Sequence, residues 1–305
     1  MTSSTPRGRQ GFLSREDYLA PPATPTGQSP KDVLNTIWRK NDVFLDIGSY
    51  SIGSFVMVLW PVVLLCFFMI YIDRYSETLL ATIGLSSFLV GLPILILLHS
   101  LTKPVPLPVR FNRQRREVCV PFADGRYWIV PWEQVTAQAI AMSSVGQHGK
   151  TTQGLLVVGF RNPDPDAPEK ERDFSLGVSC GGGETAMSLW ECMRSYMEVG
   201  PEAVPNSRLG HRPYAETQIG SVVTSLFKGD ILDVLKGLFF IVFLGTYLAE
   251  KLQNWKLGSP PDLTDPAIIE WSKPLPPEQW ARRSAELEQA IARQEQALQE
   301  SATSS

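Results

Sequence analysis

The chain has 305 residues, with 28 Lys and Arg against 31 Asp and Glu and a formal charge of −3. That balance excludes nucleic-acid binding driven by bulk positive charge, and the length allows roughly one to three domains. Four cysteines (Cys66, Cys119, Cys180, Cys192) without a C-x-x-C pair exclude a zinc ribbon and a disulfide framework, and three histidines argue against a histidine-based metal site. No cofactor is indicated.

Residues 1–28 are rich in Ser, Thr, Pro and Gly, a composition that predicts disorder. Ser29-Pro30-Lys31-Asp32 has the form of a helix start, and Val33, Leu34, Ile37 and Trp38 follow at helical spacing. Within the block 1–50, a short helix on a membrane surface and a plain connector both fit.

Ile52 to Ile72 is an uncharged run interrupted by Pro61, and after DRYSE a second uncharged run extends from Thr78 to Leu101. A span of the hydrocarbon core needs about 20 such residues, and a proline kink is tolerated there. The block 51–102 is therefore expected to be a transmembrane helical hairpin. Two buried core helices would need a larger soluble fold than the rest of the chain supplies. Residues 1–50 lack the apolar core of a secretory signal, so the first span is expected to act as its own insertion signal. Arg7, Arg9, Arg15, Lys31, Arg39 and Lys40 precede the hairpin, and Lys103, Arg110, Arg113, Arg115 and Arg116 follow it, while its loop has only Arg74. By the positive-inside rule the N-terminus and residues 103–230 are cytoplasmic and loop 73–77 lies outside, which in a bacterium means a multi-pass protein of the inner membrane with a periplasmic loop. The cytosolic thiols then sit in a reducing compartment, which suits unpaired cysteines.

KPVPLPV (103–109) predicts an extended, semi-rigid spacer. Beyond it, PVRFN, EVCVPF, RYWIVPW, QVTAQAIAM, GLLVVGF and DFSLGV are strand-like runs separated by turn residues, with ADG (123–125) as a tight turn and RNPDPDAP (161–168) as a loop. From Glu184 to Val199, Ala186, Leu189, Trp190, Met193 and Met197 share one helical face. The block 103–205 is thus expected to be an α+β domain, an antiparallel β-sheet closed by an amphipathic helix, with Trp132 and Trp190 in its core.

Ile231 to Ala249 is a third apolar run, in the block 206–257, with Asp233 and Lys236 its only charges. Its uninterrupted part fits a re-entrant or interfacial segment, and a full span also remains open. If it spans, the C-terminus is periplasmic; otherwise the tail stays inside. The block 258–305 is a proline-rich linker followed by a polar helix, with Trp280, Leu287, Ile291 and Leu298 on a narrow stripe that Gln294 interrupts. A mostly solvated helix fits that stripe better than a coiled coil.

Gly177-Val178-Ser179-Cys180-Gly181 fits G-x-S-x-G in a strand–turn–helix context. The soluble segment is too short for an α/β-hydrolase sheet, however, and His211 is the only downstream histidine, with no acid placed to orient it. The same glycines lack the lysine of a phosphate loop. Asp164, Asp166, Glu169, Glu171 and Asp173 lack EF-hand spacing. The chain is read as a non-enzyme. Arg110, Arg113, Arg115 and Arg116 read either as topology determinants or as contacts to anionic lipid or a partner.

NDVFLDI (41–47), PVRFNRQRREV (108–118), VPWEQV (130–135) and LWECMRSYMEVGPEAVP (189–205) resemble segments of an uncharacterised bacterial inner-membrane family often encoded near type VI secretion genes. VPWEQV ahead of a strand and a closing helix is also similar to membrane-tethered bacterial PH-like domains, a likeness that implies that Trp132 seals the sheet and that Glu133 is a surface group. Neither resemblance carries catalytic residues. Together they imply a protein partner, a secreted toxin or a secretion-system component, and an immunity or accessory role. The alternative is a membrane-anchored scaffold that recruits a protein or lipid.

Overall fold

A computed structural model describes residues 24–33, 35–50, 52–146, 149–180, 183–209, 214 and 217–303, with strands at Arg9–Gln10 and Ser14–Tyr18. In chain order these two strands are β1 and β2, followed by β3 (Ile37–Lys40), β4 (Phe44–Ile47) and the apolar helices α1 (Gly53–Ile72) and α2 (Leu79–Thr102). Then come β5 (Val109–Asn112), β6 (Glu117–Pro121), β7 (Tyr127–Pro131), β8 (Thr136–Gly146), β9 (Gly149–Arg161), β10 (Asp173–Cys180) and α3 (Gly183–Glu198). Helices α4 (Gln218–Lys228), α5 (Ile231–Leu238), α6 (Thr246–Leu257), α7 (Pro266–Trp271) and α8 (Ala285–Thr303) complete the chain, with a wider π-helical stretch at Phe239–Phe243.

The chain divides into two units. One joins Met1–Ser49, Pro106–Ser207 and Pro261–Ser305; the other joins Tyr50–Val105 and Arg208–Pro260. The sequence blocks at the two ends thus complete the unit built on residues 103–205.

In the first unit two antiparallel sheets run in the orders β1-β2-β8-β9-β10 and β3-β4-β5-β6-β7. All six strand-like runs between residues 108 and 178 form strands, and the helical face after Glu184 forms α3. Alternation decides which side chains go inward: Ala137, Ala139, Leu156 and Val158 are buried along β8 and β9, and Val109 and Phe111 along β5. They share one core with Leu189, Trp190 and Met193 of α3. Trp132 and Trp190 are fully buried and stack with ring centroids 5.4 Å apart, while Phe111 meets Trp132 edge-on at 5.9 Å. Helix α3 is buried on its polar side too. There Thr26 donates to Glu191 through its backbone N–H and its hydroxyl, and Lys31 N donates to Ser188 O.

Two expectations from the sequence need correction in this unit. Residues 37–40 form a strand rather than part of a short surface helix. Asn35 takes a positive φ of 57° and Asp32 Oδ1 accepts from the backbone N–H groups of Thr36 and Ile37, which closes a turn where a helix would continue. Ile37 then pairs with Ile47, and the Trp38 ring covers Gly48, where an added Cβ would lie 2.2 Å from the indole. The disorder expected for residues 1–28 falls largely outside the described residues, but β1 and β2 lie inside that stretch, and β2 pairs with β8 from Ser14↔Met142 to Tyr18↔Gln138. The C-terminal helix α8 is mostly exposed, as its sequence implies, and among its described side chains Leu287 and Ile291 are the two buried in the main core.

Among the described residues of the second unit, α1 and α2 are the two single helices long and apolar enough to cross a membrane. Ile231–Phe243 and Thr246–Leu257 form a bent pair that is together long and apolar enough as well. Pro61 lies within α1 and the helix continues past it to Ile72. Most apolar side chains on both helices face outward; Val58 and Leu80 are examples. The linking turn is tied by Asp73 Oδ2, which accepts from the hydroxyls of Thr78 and Thr82.

The indole N–H of Trp132 donates to Glu198 Oε1 at 2.7 Å, whereas that of Trp190 is buried without a hydrogen-bond partner among the described residues. Trp132→Phe should therefore destabilise the protein more than Trp190→Phe, by about 1 kcal/mol for the lost hydrogen bond, and either Trp→Ala change by about 3–5 kcal/mol. Urea unfolding of the full chain checks this. Equal losses for the two Phe variants would show that the Glu198 bond contributes nothing.

Candidate interaction site

Strand β5 has both faces covered, with all four of its residues buried. Val109 and Phe111 point into the main core, so Arg110 and Asn112 occupy the opposite face by the two-residue period of a strand. Asp46 of β4 is the direct cross-strand partner of Arg110. Arg110 Nε and Nη2 reach the two Asp46 oxygens at 2.7 and 2.8 Å, Nη2 also reaches Asp262 at 2.7 Å, and Nη1 donates to the Ser272 hydroxyl at 3.0 Å. Arg39 lies 3.4 Å from Asp46 and donates to Pro261 O at 2.8 Å. The Arg110 guanidinium also stacks 3.8 Å above the Phe44 ring.

The cover on this face is the C-terminal segment itself. Cys119 of β6 packs under Leu263 and Ile268, with Tyr127, Ile129 and Trp271 at the edge, as a second small core. Trp271 Nε1 donates to Glu117 at 2.7 Å, and Trp271 O accepts from Asn112 Nδ2 and Arg115 Nε. In the β5–β6 turn, Gln114 Oε1 accepts from Leu275 N and Gln114 O from Ala281 N, while the Arg113 guanidinium sits 5.2 Å over the Trp280 ring. Arg116 and Arg283 converge on the buried carboxylate of Glu198, and Glu133 Oε1 accepts from Ser284 N.

All four arginines of the tract are thus engaged within their own unit: Arg110 and Arg116 buried in ion pairs, Arg113 and Arg115 against the strap at residues 261–284. Trp132 and Trp190 lie in the same unit, and Pro61 lies apart in α1. Sequence reasoning missed Asp46, Glu198, Asp262 and Arg283. Asp46 had one local signal, a charge inside the apolar run FLDI; Glu198, at the end of a helix, had none. Ser179 is an exposed residue within β10, opposite Leu155, so it does not sit on a strand-to-helix elbow. Gly181 and His211 lie outside the described residues.

Residues 86–244, just over half of the chain, match a family described as a family of unknown function, DUF6708. The chain belongs to that family. No curated protein and no solved structure matches the chain. The matched stretch takes in most of α2, strands β5–β10, α3 and the run through α4 and α5. Within this family segment lie Arg110, Arg116 and Glu198, whereas Asp46, Asp262 and Arg283 come from outside it.

Burial would raise the Asp262 carboxyl, but the hydrogen bond from Arg110, with further help from the Leu263 N–H and Arg39, brings it below its ordinary value. Glu133 is likewise lowered: burial opposes the shift, and Ser284 and Arg116 outweigh it. Asp46 moves the other way, because burial outweighs the pull of Arg110 and Arg39. A lowered carboxylate contributes stability above its unfolded value, about 4, and that contribution is lost as pH falls through the folded value. A raised one favours the folded state on protonation, so Asp46 does not open the strap on mild acidification. The strap should therefore stay closed down to the ordinary carboxylate range and loosen only below it, as read by pepsin nicking at residues 272–284. Nicking that begins at milder acidity would contradict these assignments. Independently, Trp271→Ala should expose Cys119, and maleimide labelling at neutral pH should rise about tenfold for each ~1.4 kcal/mol of strap stability removed. Unchanged labelling would show that Trp271 does not hold the strap.

Proposed function

We propose that the protein is a non-enzymatic, membrane-anchored binding protein that engages a protein partner, in the role of an immunity or accessory factor for a membrane-acting toxin of a type VI secretion system. The observation that carries the reading is the apolar surface of α1 and α2. Ser86 is the one buried residue of α2, and an outward apolar face of that extent calls for lipid or another apolar helix. Gly84 and Gly91 face open space, with no atom within 4 Å of an added Cβ, so a partner helix can approach the α2 backbone closely there. The resemblance to proteins encoded beside type VI secretion genes supplies the secretion context. The Lys and Arg distribution supports an inner-membrane location with the sheet-bearing unit in the cytoplasm.

The engagement of Arg110, Arg113, Arg115 and Arg116 within the protein supports a structural use of these residues over contact with anionic lipid. Recruitment of a protein by the cytosolic unit, without any toxin, is the scaffold alternative.

A toxin that opens pores in a bilayer is blocked where it acts only by something already in that bilayer. Co-expression with the neighbouring secreted toxin should protect cells, and Gly84→Leu with Gly91→Leu should weaken protection while leaving the amount of inserted protein unchanged. If the gene's deletion leaves toxin sensitivity as it was and co-expression gives no protection, the immunity reading fails and the scaffold reading stands.

A further inference from the structure

Strands β3 and β4 precede α1, strands β5–β10 follow α2, and the strap and α8 follow α6, yet all of these form one unit. Asp262 is bonded to Arg110, Trp271 to Glu117 and Arg283 to Glu198, and Leu287 and Ile291 lie in the core. A folded unit cannot straddle a bilayer, so residues 208–260 must leave and return on one side. They cross the membrane an even number of times. The apolar run at Ile231–Ala249 is therefore not a single span, which decides between the two alternatives that its composition leaves open.

The local geometry breaks the run in two. The axes of Ile231–Phe243 and Thr246–Leu257 are bent by 62° at Leu244–Gly245, and Gly245 takes a left-handed φ of 63°. The Trp60 ring fills the space where a Gly245 Cβ would stand, 2.6 Å away, and its Nε1 donates to Val242 O at 2.8 Å. Thr246 Oγ1 donates to Gln218 Oε1 at 2.7 Å, and Gln218 Nε2 donates to Thr246 O at 3.2 Å. Side chains thus satisfy the backbone groups freed at the break, as irregular backbone at membrane depth requires. From there α6 retraces the start of α1: Gly245 lies beside Trp60, Ala249 beside Gly53, and Gln253 Nε2 donates to Tyr50 O at 3.3 Å. Its last turn reaches the end of α2, where Lys256 Nζ donates to Lys103 O at 3.1 Å. Trp60 is seven residues into α1, about 10 Å along its axis at ~1.5 Å per residue, against a hydrocarbon core of ~30 Å. The bend therefore reaches only about a third of the way in.

With α6 running back along α1, a limb at 62° to it extends more across the membrane than through it, and its start at Ile231 lies deeper than the bend. That limb, α5, packs on α4 through Gly237 and Val222. The pair is amphipathic: Phe227, Leu226, Ile231, Leu232 and Leu235 are exposed, Phe227 at 87%, while Ser221, Lys228, Asp233 and Lys236 supply polar positions.

We propose that α4 and α5 form an amphipathic hairpin lying in the leaflet on the side of the sheet-bearing unit, that its partner is the lipid of that leaflet, and that the C-terminus is on the same side. The hairpin joins α1 where Trp60 meets Val242 and Gly245, and Lys236 lies 3.5 Å from Asp233, so the two charges offset each other in the leaflet. The inference rests on the membrane reading of α1 and α2.

Single-cysteine variants of the full chain, Asp166→Cys, Ser259→Cys and Ser76→Cys, test it with a membrane-impermeant maleimide on intact cells and on inverted vesicles. Background is low, because all four native cysteines are buried and burial pushes the Cys119 thiol up to about 12 and raises those of Cys180 and Cys192. Positions 259 and 166 should label from one side and position 76 from the other. Labelling of 259 with 76 would overturn the inference. If instead 76 labels with 166, the hairpin reading of α1 and α2 fails, which is a distinguishable result. Bimane on Phe227→Cys, reconstituted with nitroxide-bearing lipids, should be quenched by nitroxides on the lipid chains. No quenching at any nitroxide depth would overturn the placement of the hairpin in the bilayer.

Discussion

Asp46 and Arg110 meet as a two-point ion pair between neighbouring strands, and 64 positions of sequence, containing both apolar helices, separate them. Asp262 joins from a further 152 positions along. The first unit exists only if these three stretches find one another in register. An ion pair buried to this degree is a poor source of net stability, because the desolvation of both partners offsets most of their attraction. Leaving one partner alone is strongly unfavourable, about 3–5 kcal/mol. That asymmetry penalises every misregistered pairing of β4 with β5, since a one-residue slip would turn Asp46 into the apolar core. The pair serves specificity of closure, and the second small core around Cys119 supplies the apolar burial that accompanies it.

The parts of this arrangement that the sequence reveals are those governed by local period. Strands β5–β10 and helix α3 carry alternation or helical spacing over many residues, and α1 and α2 carry uncharged length. The short strands β3 and β4 do not, because Val33, Ile37 and Trp38 satisfy a helical spacing as readily as a strand, and the deciding factors are the Asp32 turn and pairing with β4. The arginine tract misleads for a related reason. Its nearness in sequence to α2 suggests topology or lipid, while the partners that use it, Asp46, Asp262, Glu198 and Trp280, are all distant in sequence. Burial of charge by long-range partners has no periodic signature. The trace left for a reader is a charge at an inward or covered position of an otherwise apolar strand, as in FLDI and VRFN.

The bend at Gly245 poses the opposite problem in the second unit. There the run from Gly237 to Ala249 is uncharged throughout, so hydropathy registers length and misses direction. Gly245 is the position where the backbone needs a left-handed φ and the Trp60 ring needs the space of the missing Cβ, and both requirements exclude other residues. Trp60, Gln218 and Thr246 are the polar handles of an apolar neighbourhood, and they meet at the break, where they pair with backbone carbonyls that the helix has released.

Closure of the first unit also constrains how the chain assembles. Bringing β4 and β5 together across a flexible connection of this length carries a loop-closure penalty that grows with the logarithm of the connection. An antiparallel helical pair removes most of that penalty, because α2 returns the chain close to where α1 departed; Gln253 and Lys256 of α6 touch Tyr50 at one end and Lys103 at the other. The second excursion, residues 208–260, works in the same way and delivers Asp262 to a site that Asp46 and Arg110 already define. A formed excursion therefore lowers the cost of pairing the charge that it delivers, because the helices hold the strand ends near one another. The strap's apolar cover is a small core of Cys119, Leu263 and Ile268 with partly buried Tyr127, Ile129 and Trp271. Its local opening should therefore cost less than opening of the main core, since local opening free energy follows the apolar contact that each segment makes.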